Sequence, residues 1–121
     1  MKKIFFLISV LLFFTSAGLL ANKTSVEIKA PAEIKKGAEV TLVVNVFHKG
    51  NSTAHHTDWV YLKINGKEVK RWQYDKENLP AGGNFTLEFK IIATENLTIE
   101  AEGHCNLHGS AGSKKATIKT I

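Results

Sequence analysis

The run His104, Cys105, Asn106, Leu107, His108 and Gly109, near the C-terminus, holds residues whose types and spacing point to chemistry. It contains the chain's one cysteine, and a thiolate and an imidazole three residues apart can reach the same metal ion. Three of the five histidines, His48, His55 and His56, lie upstream. The soft and borderline donors thus fall into two clusters. A lone Cys-x-x-His spacing is weak evidence, because surface loops contain histidines for no particular reason. The plain alternative makes Cys105 a small buried apolar residue and the histidines ordinary loop residues. Against it, these residues sit at the ends of predicted strands rather than inside them.

Those strands follow from period-two alternation. Thr24–Lys29 reads as the first, interrupted by Pro31. From Glu39, residues Val40, Leu42, Val44 and Val46 point one way, as in a half-buried strand that ends near His48. Lys49–Ala54 has loop composition, and Asp58–Ile64 resumes the alternation. Asn65-Gly66 predicts a tight hairpin into Glu68–Tyr74. Asn84–Ala93 and Asn96–Glu102 alternate again, with Gly103 expected to end the sixth strand. Gly109–Ser113 reads as a flexible stretch before a last strand at Lys114–Thr120. About seven short strands without a helical period predict an all-β protein, an antiparallel β-sandwich of immunoglobulin-like type. Loops cluster at the ends of such a sandwich. A metal site there would draw His48 from one strand end, His55 or His56 from the next strand's start, and Cys105 and His108 from the loop after the sixth strand.

The 121 residues make one domain behind a segment that does not count toward the fold. Met1–Lys3 is a basic start, Ile4–Phe14 is almost unbroken apolar sequence, and small residues follow, ending at Ala17 or Ala21. That is the shape of a signal peptide over residues 1–21, the apolar part being shorter than the roughly 20 residues that span a bilayer. An uncleaved membrane anchor is the alternative. Removing 21 of the 121 residues leaves 22–121, enough for a small core, and lowers the net charge from +5 to +3. This mildly basic balance lacks the Lys/Arg clustering of a nucleic-acid binder. In an exported chain, secreted or periplasmic, an odd cysteine is an intermolecular disulfide, a reactive thiol or a metal ligand, and neighbouring histidines favour the last. Asn-x-Ser/Thr triplets beginning at Asn22, Asn51, Asn84 and Asn96 are too unspecific to use.

Cys105, Asn106, Leu107, His108, Gly109 resembles the cysteine-histidine motif of the superoxide reductases, the iron domain shared by neelaredoxin and desulfoferrodoxin. Asn51 to His56, followed by Trp59, resembles that family's second-histidine segment, with His48 in the place of the preceding histidine. Ile28–Val46 is similar to its early strand-turn-strand. The resemblance implies a mononuclear non-haem iron, ferrous and ferric in turn, with superoxide as substrate and an external electron donor protein as partner. It implies His48, His55 and His108 as equatorial ligands and Cys105 as the axial thiolate. Strand alternation turns His56 and His104 away. The family's first histidine falls at Thr24 here, in a segment where Lys23 survives as the residue that would attract the anion. Against the family's pattern, one residue is also added between His48 and His55. Losing an imidazole weakens iron retention and opens the site to zinc or copper. The sequence leaves three readings standing: a superoxide-reductase-like enzyme, a non-enzymatic metal-binding or electron-transfer module with a degenerate site, and a structural domain that binds a partner protein. It does not specify the oligomeric state.

Overall fold

Along Glu39–Phe47 the alternating side chains Val40, Leu42, Val44 and Val46 are buried, and between them only half-covered or exposed residues appear. Thr57–Ile64 buries Val60, Leu62 and Ile64, and Leu97–Cys105 buries Leu97, Ile99, Ala101 and Cys105. Three strands with one apolar face each cannot leave those faces in water. Burying a Val, Leu or Ile side chain is worth roughly 1.5–3 kcal/mol. They close on one another across two sheets.

The computed structural model describes residues 23–121; the expected signal segment lies outside the described residues. In chain order the strands are β1 (Ser25–Lys29), β2 (Glu33–Ile34), β3 (Glu39–Phe47), β4 (Thr57–Ile64), β5 (Lys67–Gln73), β6 (Asn84–Ile92), β7 (Leu97–Cys105) and β8 (Lys114–Thr120). One sheet has the order β1-β3-β6 and the other β2-β8-β7-β4-β5. All pairs are antiparallel except β2 with β8. The immunoglobulin-like sandwich is therefore present, with no helix among the described residues.

Eight strands replace the expected seven. The added one, β2, is two residues long and pairs in parallel with Lys119 and Thr120, too short to show any alternation. The Asn65-Gly66 hairpin forms as expected: both residues have positive φ (50° and 82°), as a type I′ turn requires. Edge strand β5 carries Lys70 on its core side, opposite Leu62, with the ammonium over the Trp72 ring. An inward charge on an edge discourages pairing with another chain.

The sixth predicted strand does not stop at Gly103. It runs on through His104 to Cys105, so Cys105 is a strand residue and not a loop residue. Gly103 marks a close approach instead. A Cβ there would lie 2.7 Å from Thr24 Cγ2 and 3.3 Å from Val26 Cγ1, so its absence lets the start of β1 lie against β7. Gly103→Ala is expected to destabilise the fold by about 1–3 kcal/mol through overpacking, read as a lower denaturant midpoint with an unchanged slope.

Candidate metal centre

Three strand ends meet at one end of the sandwich. β3 delivers His48 from one sheet. The chain entering β4 delivers His55, and β7 delivers Cys105, from the other. One donor atom from each of His48, His55 and Cys105 lies within 4.8 Å of the others. His108 stands beside this trio, its Nδ1 3.1 Å from His55 Nε2. Two nitrogen donors on adjacent positions of one ion, each bonded at about 2.1 Å, stand about 3 Å apart. Cys105 is fully buried, while His108 is exposed, so the cluster is closed at the sulfur and open toward solvent at His108.

His48 supplies the clearest sign of a missing partner. It is 4% exposed, its Nδ1 lies 3.1 Å from Asn51 Oδ1, and its Nε2 is a buried side-chain polar atom with no hydrogen-bond partner. Leaving such an atom unsatisfied costs about 1–3 kcal/mol, and buried polar atoms in folded proteins seldom lack a partner. A metal ion bound to Nε2 satisfies it. The donor set, three imidazoles and one thiol, fits a borderline transition metal such as iron, zinc or copper.

Two tight loops hold the cluster. Cys105 and Gly109 exchange both backbone hydrogen bonds at 2.9 Å, closing a hairpin over Asn106, Leu107 and His108. Gly109 has φ 80°, which a side chain would resist. Much of the supposed flexible stretch is thereby tied down: Ser110 bridges to Thr24, and Ala111 donates to the Thr24 carbonyl. Asn106 then fastens this hairpin to the histidine loop. Its side chain accepts from His56 N–H at 3.0 Å and donates to the Ala54 carbonyl at 3.2 Å, and its own N–H donates to the His56 carbonyl. Within that loop Ser52 and His55 bond each other through backbone and hydroxyl, fixing the turn that presents His55.

The other predicted residues fall around the site. His56 is buried with Nδ1 3.0 Å from the Ser52 carbonyl, and lies outside the trio. His104 lies on the outer face of its sheet, stacked on Trp59 with its Nδ1 2.7 Å from Asp58 Oδ1. A β-bulge in β4 between Thr57 and Trp59 makes this arrangement. It sets Thr57 opposite Cys105 and Trp59 opposite His104, with Asp58 as the extra residue. Tyr61 continues the outer stack below Trp59. Burial, then the carboxylates of Glu102 and Glu100, push its phenol up to about 12, so it stays neutral and donates to Glu102. Thr24 is fully buried, with its hydroxyl 3.0 Å from that of Thr57, at the position where the resemblance reserves a further histidine. Lys23, half-buried, precedes it. Sequence reasoning missed Thr57, and it quoted Asn51 and Asn106 within the two segments of the resemblance but gave them no role. Their one signal was position, an amide three residues after His48 and another between Cys105 and His108.

The fold and the cluster together define a β-sandwich with a His/Cys group at one end that is compact enough for one metal ion. The chain belongs to the desulfoferrodoxin family, whose model matches residues 20–112. That is a family of mononuclear iron proteins, and the cluster is compatible with such an ion. Among solved structures, the superoxide reductase (neelaredoxin) from Ignicoccus hospitalis is 23% identical, covering 82% of this chain and 83% of that one, with a TM-score of 0.66. A protein from Thermotoga maritima described as a putative superoxide reductase is 22% identical over 85% and 90% of the two chains, with a TM-score of 0.63. A CARDB domain from Pyrococcus furiosus, solved in complex with di-metal ions, is 18% identical over 84% and 96%, also with a TM-score of 0.63. At these identities the likeness shows the fold. No curated protein matches.

Proposed function

We propose that this chain is an exported superoxide-reductase-like protein that reduces superoxide to hydrogen peroxide at a mononuclear iron held by His48, His55, His108 and Cys105. The observation that carries this reading is the buried, unpartnered Nε2 of His48 inside a His/Cys group compact enough for one ion. His48, His55, His108 and Cys105 would hold the iron, which when bound would supply the one electron that with two protons turns superoxide into hydrogen peroxide, an external donor protein then restoring the ferrous form. Cys105 would offer its sulfur from the buried side of the cluster, and a thiolate there would supply electron density to the ion. His55 and His108 offer neutral imidazoles, which suit ferrous iron. Lys23 and the net charge of +3 over residues 22–121 draw the anion in, and Lys23 passes protons to it through water. The basic start and the apolar run Ile4–Phe14 support export, to the periplasm or beyond the cell, with removal of residues 1–21.

Thr24 favours a second reading. Its hydroxyl is committed to Thr57, so the donors are the His48, His55 and Cys105 trio with His108 3.1 Å from His55, and a non-enzymatic metal-binding or electron-transfer module would need no more. Anaerobic reconstitution with ferrous iron, zinc or copper separates the two. The enzyme is expected to gain a thiolate-to-ferric absorption band when superoxide is added, to lose it on re-reduction, and to form one peroxide per superoxide. Zinc or copper retained with no turnover of the iron form supports the module. Failure to take up any of the three metals rejects both.

A further inference from the structure

The side chain of Asn51 is oriented by two neighbours that belong to neither cluster. Its Oδ1 accepts from the Thr57 backbone N–H at 2.8 Å, and its Nδ2 donates to the Gly82 carbonyl. An N–H can only donate and a carbonyl can only accept, so the amide cannot be turned around. The same Oδ1 faces His48 Nδ1 at 3.1 Å, and because that oxygen is an acceptor, the imidazole must donate from Nδ1. A neutral imidazole that carries its proton on Nδ1 has a bare lone pair on Nε2, the buried atom without a protein partner.

We propose that Asn51 is a positioning residue that locks His48 in the Nδ1–H tautomer and so keeps its Nε2 lone pair directed at the cluster. The inference rests on the reading given under Proposed function. Thr57 connects the lock to the rest of the site. Its N–H holds Asn51, its hydroxyl meets that of Thr24, and its backbone sits opposite Cys105 in the β4–β7 pair. The orientation of His48, from one sheet, is thereby tied to the strand that faces the sulfur in the other. Gly82 completes the lock from the loop before β6, where Gly83 also accepts from the His48 N–H at 3.0 Å. An outer acceptor on a ligating histidine fixes its tautomer and ring plane and raises its basicity.

Two substitutions and a metal-free measurement test this. Asn51→Ala removes the acceptor. Asn51→Asp keeps an acceptor for both His48 and Thr57 but sets a carboxylate oxygen against the Gly82 carbonyl. Imidazole 15N–1H correlation spectra of the metal-free protein should show His48 protonated on Nδ1, and that signature should be lost in Asn51→Ala. Iron affinity should fall about 10–100-fold in Asn51→Ala and stay within a few-fold in Asn51→Asp. The added negative charge should lower the midpoint potential of Asn51→Asp below that of the unsubstituted protein. A merely structural asparagine predicts the opposite order, since the aspartate loses the Gly82 bond and gains a repulsion. Equal loss of affinity in both variants, tracking metal-free thermal stability, overturns the proposal, as does a His48 proton on Nε2 in the unsubstituted chain. A proton on Nδ1 in a chain that takes up no iron leaves the lock in place and rejects the iron reading instead.

Discussion

Cys105→Ser is expected to abolish the thiolate-to-ferric absorption band and to cut superoxide turnover by more than the roughly 10–100-fold that loss of an outer ligand partner costs. The reason is electronic. A serine hydroxyl is a poor substitute for a thiolate on a borderline ion and donates far less charge to the open side of the site. The substitution also has a structural cost, because Cys105 is fully buried at the end of β7 and behaves there as a small apolar residue. Its sulfur has only a 4.0 Å contact with Asn106 Oδ1, so a hydroxyl in its place gains little and loses about 1–3 kcal/mol of desolvation. Metal content, the absorption spectrum and a thermal melt on one preparation separate the two effects. Retention of the band would remove Cys105 from the site whatever the melting temperature.

His48→Leu should split stability from function in the opposite direction. The imidazole is buried with an unpartnered Nε2, and replacing it by an apolar side chain of similar bulk relieves a penalty of about 1–3 kcal/mol. Asn51 is not orphaned by the change, since its Oδ1 still accepts from Thr57 N–H and its Nδ2 still donates to Gly82. The metal-free variant is therefore expected to melt no lower than the unsubstituted chain, while iron retention collapses. That pairing, stability kept and binding lost, is what a side chain held in a strained polar state for a ligand produces. A large drop in the metal-free melting temperature would show instead that His48 is structural.

Most of the framework could be read before any coordinates. Val40 to Val46, Val60 to Ile64 and Leu97 to Ala101 alternate so regularly that their strands and core faces follow from period two. Asn65-Gly66 dictated its own turn, because few other pairs accept positive φ at both positions. His48, His55, Cys105 and His108 were legible as a set by residue type and by the family resemblance. Less legible was why His55 faces the cluster. Alternation into β4 was the expected cause, yet the Ser52–His55 bonds and the Asn106 clamp present it from a loop.

Residue type and alternation thus determine the sandwich, its turns and the roster of donors, because those depend on the chain's near neighbours. Four matters waited for the packed structure. Gly103 looked like a terminator and proved to be the point where Thr24 lies against β7. The bulge at Asp58 reverses the faces expected upstream of Trp59, setting Thr57 opposite Cys105 and Trp59 under the outward His104. Thr24 spends its hydroxyl on Thr57 at the place of the absent histidine. Asn106 holds the His55 loop from 50 or more residues away, and Asn51, three residues after His48, is oriented by Thr57 and Gly82 from other parts of the chain. Each depends on which backbone comes within a few ångströms of which, across two sheets and long chain separations, and no local pattern in a sequence records such a distance.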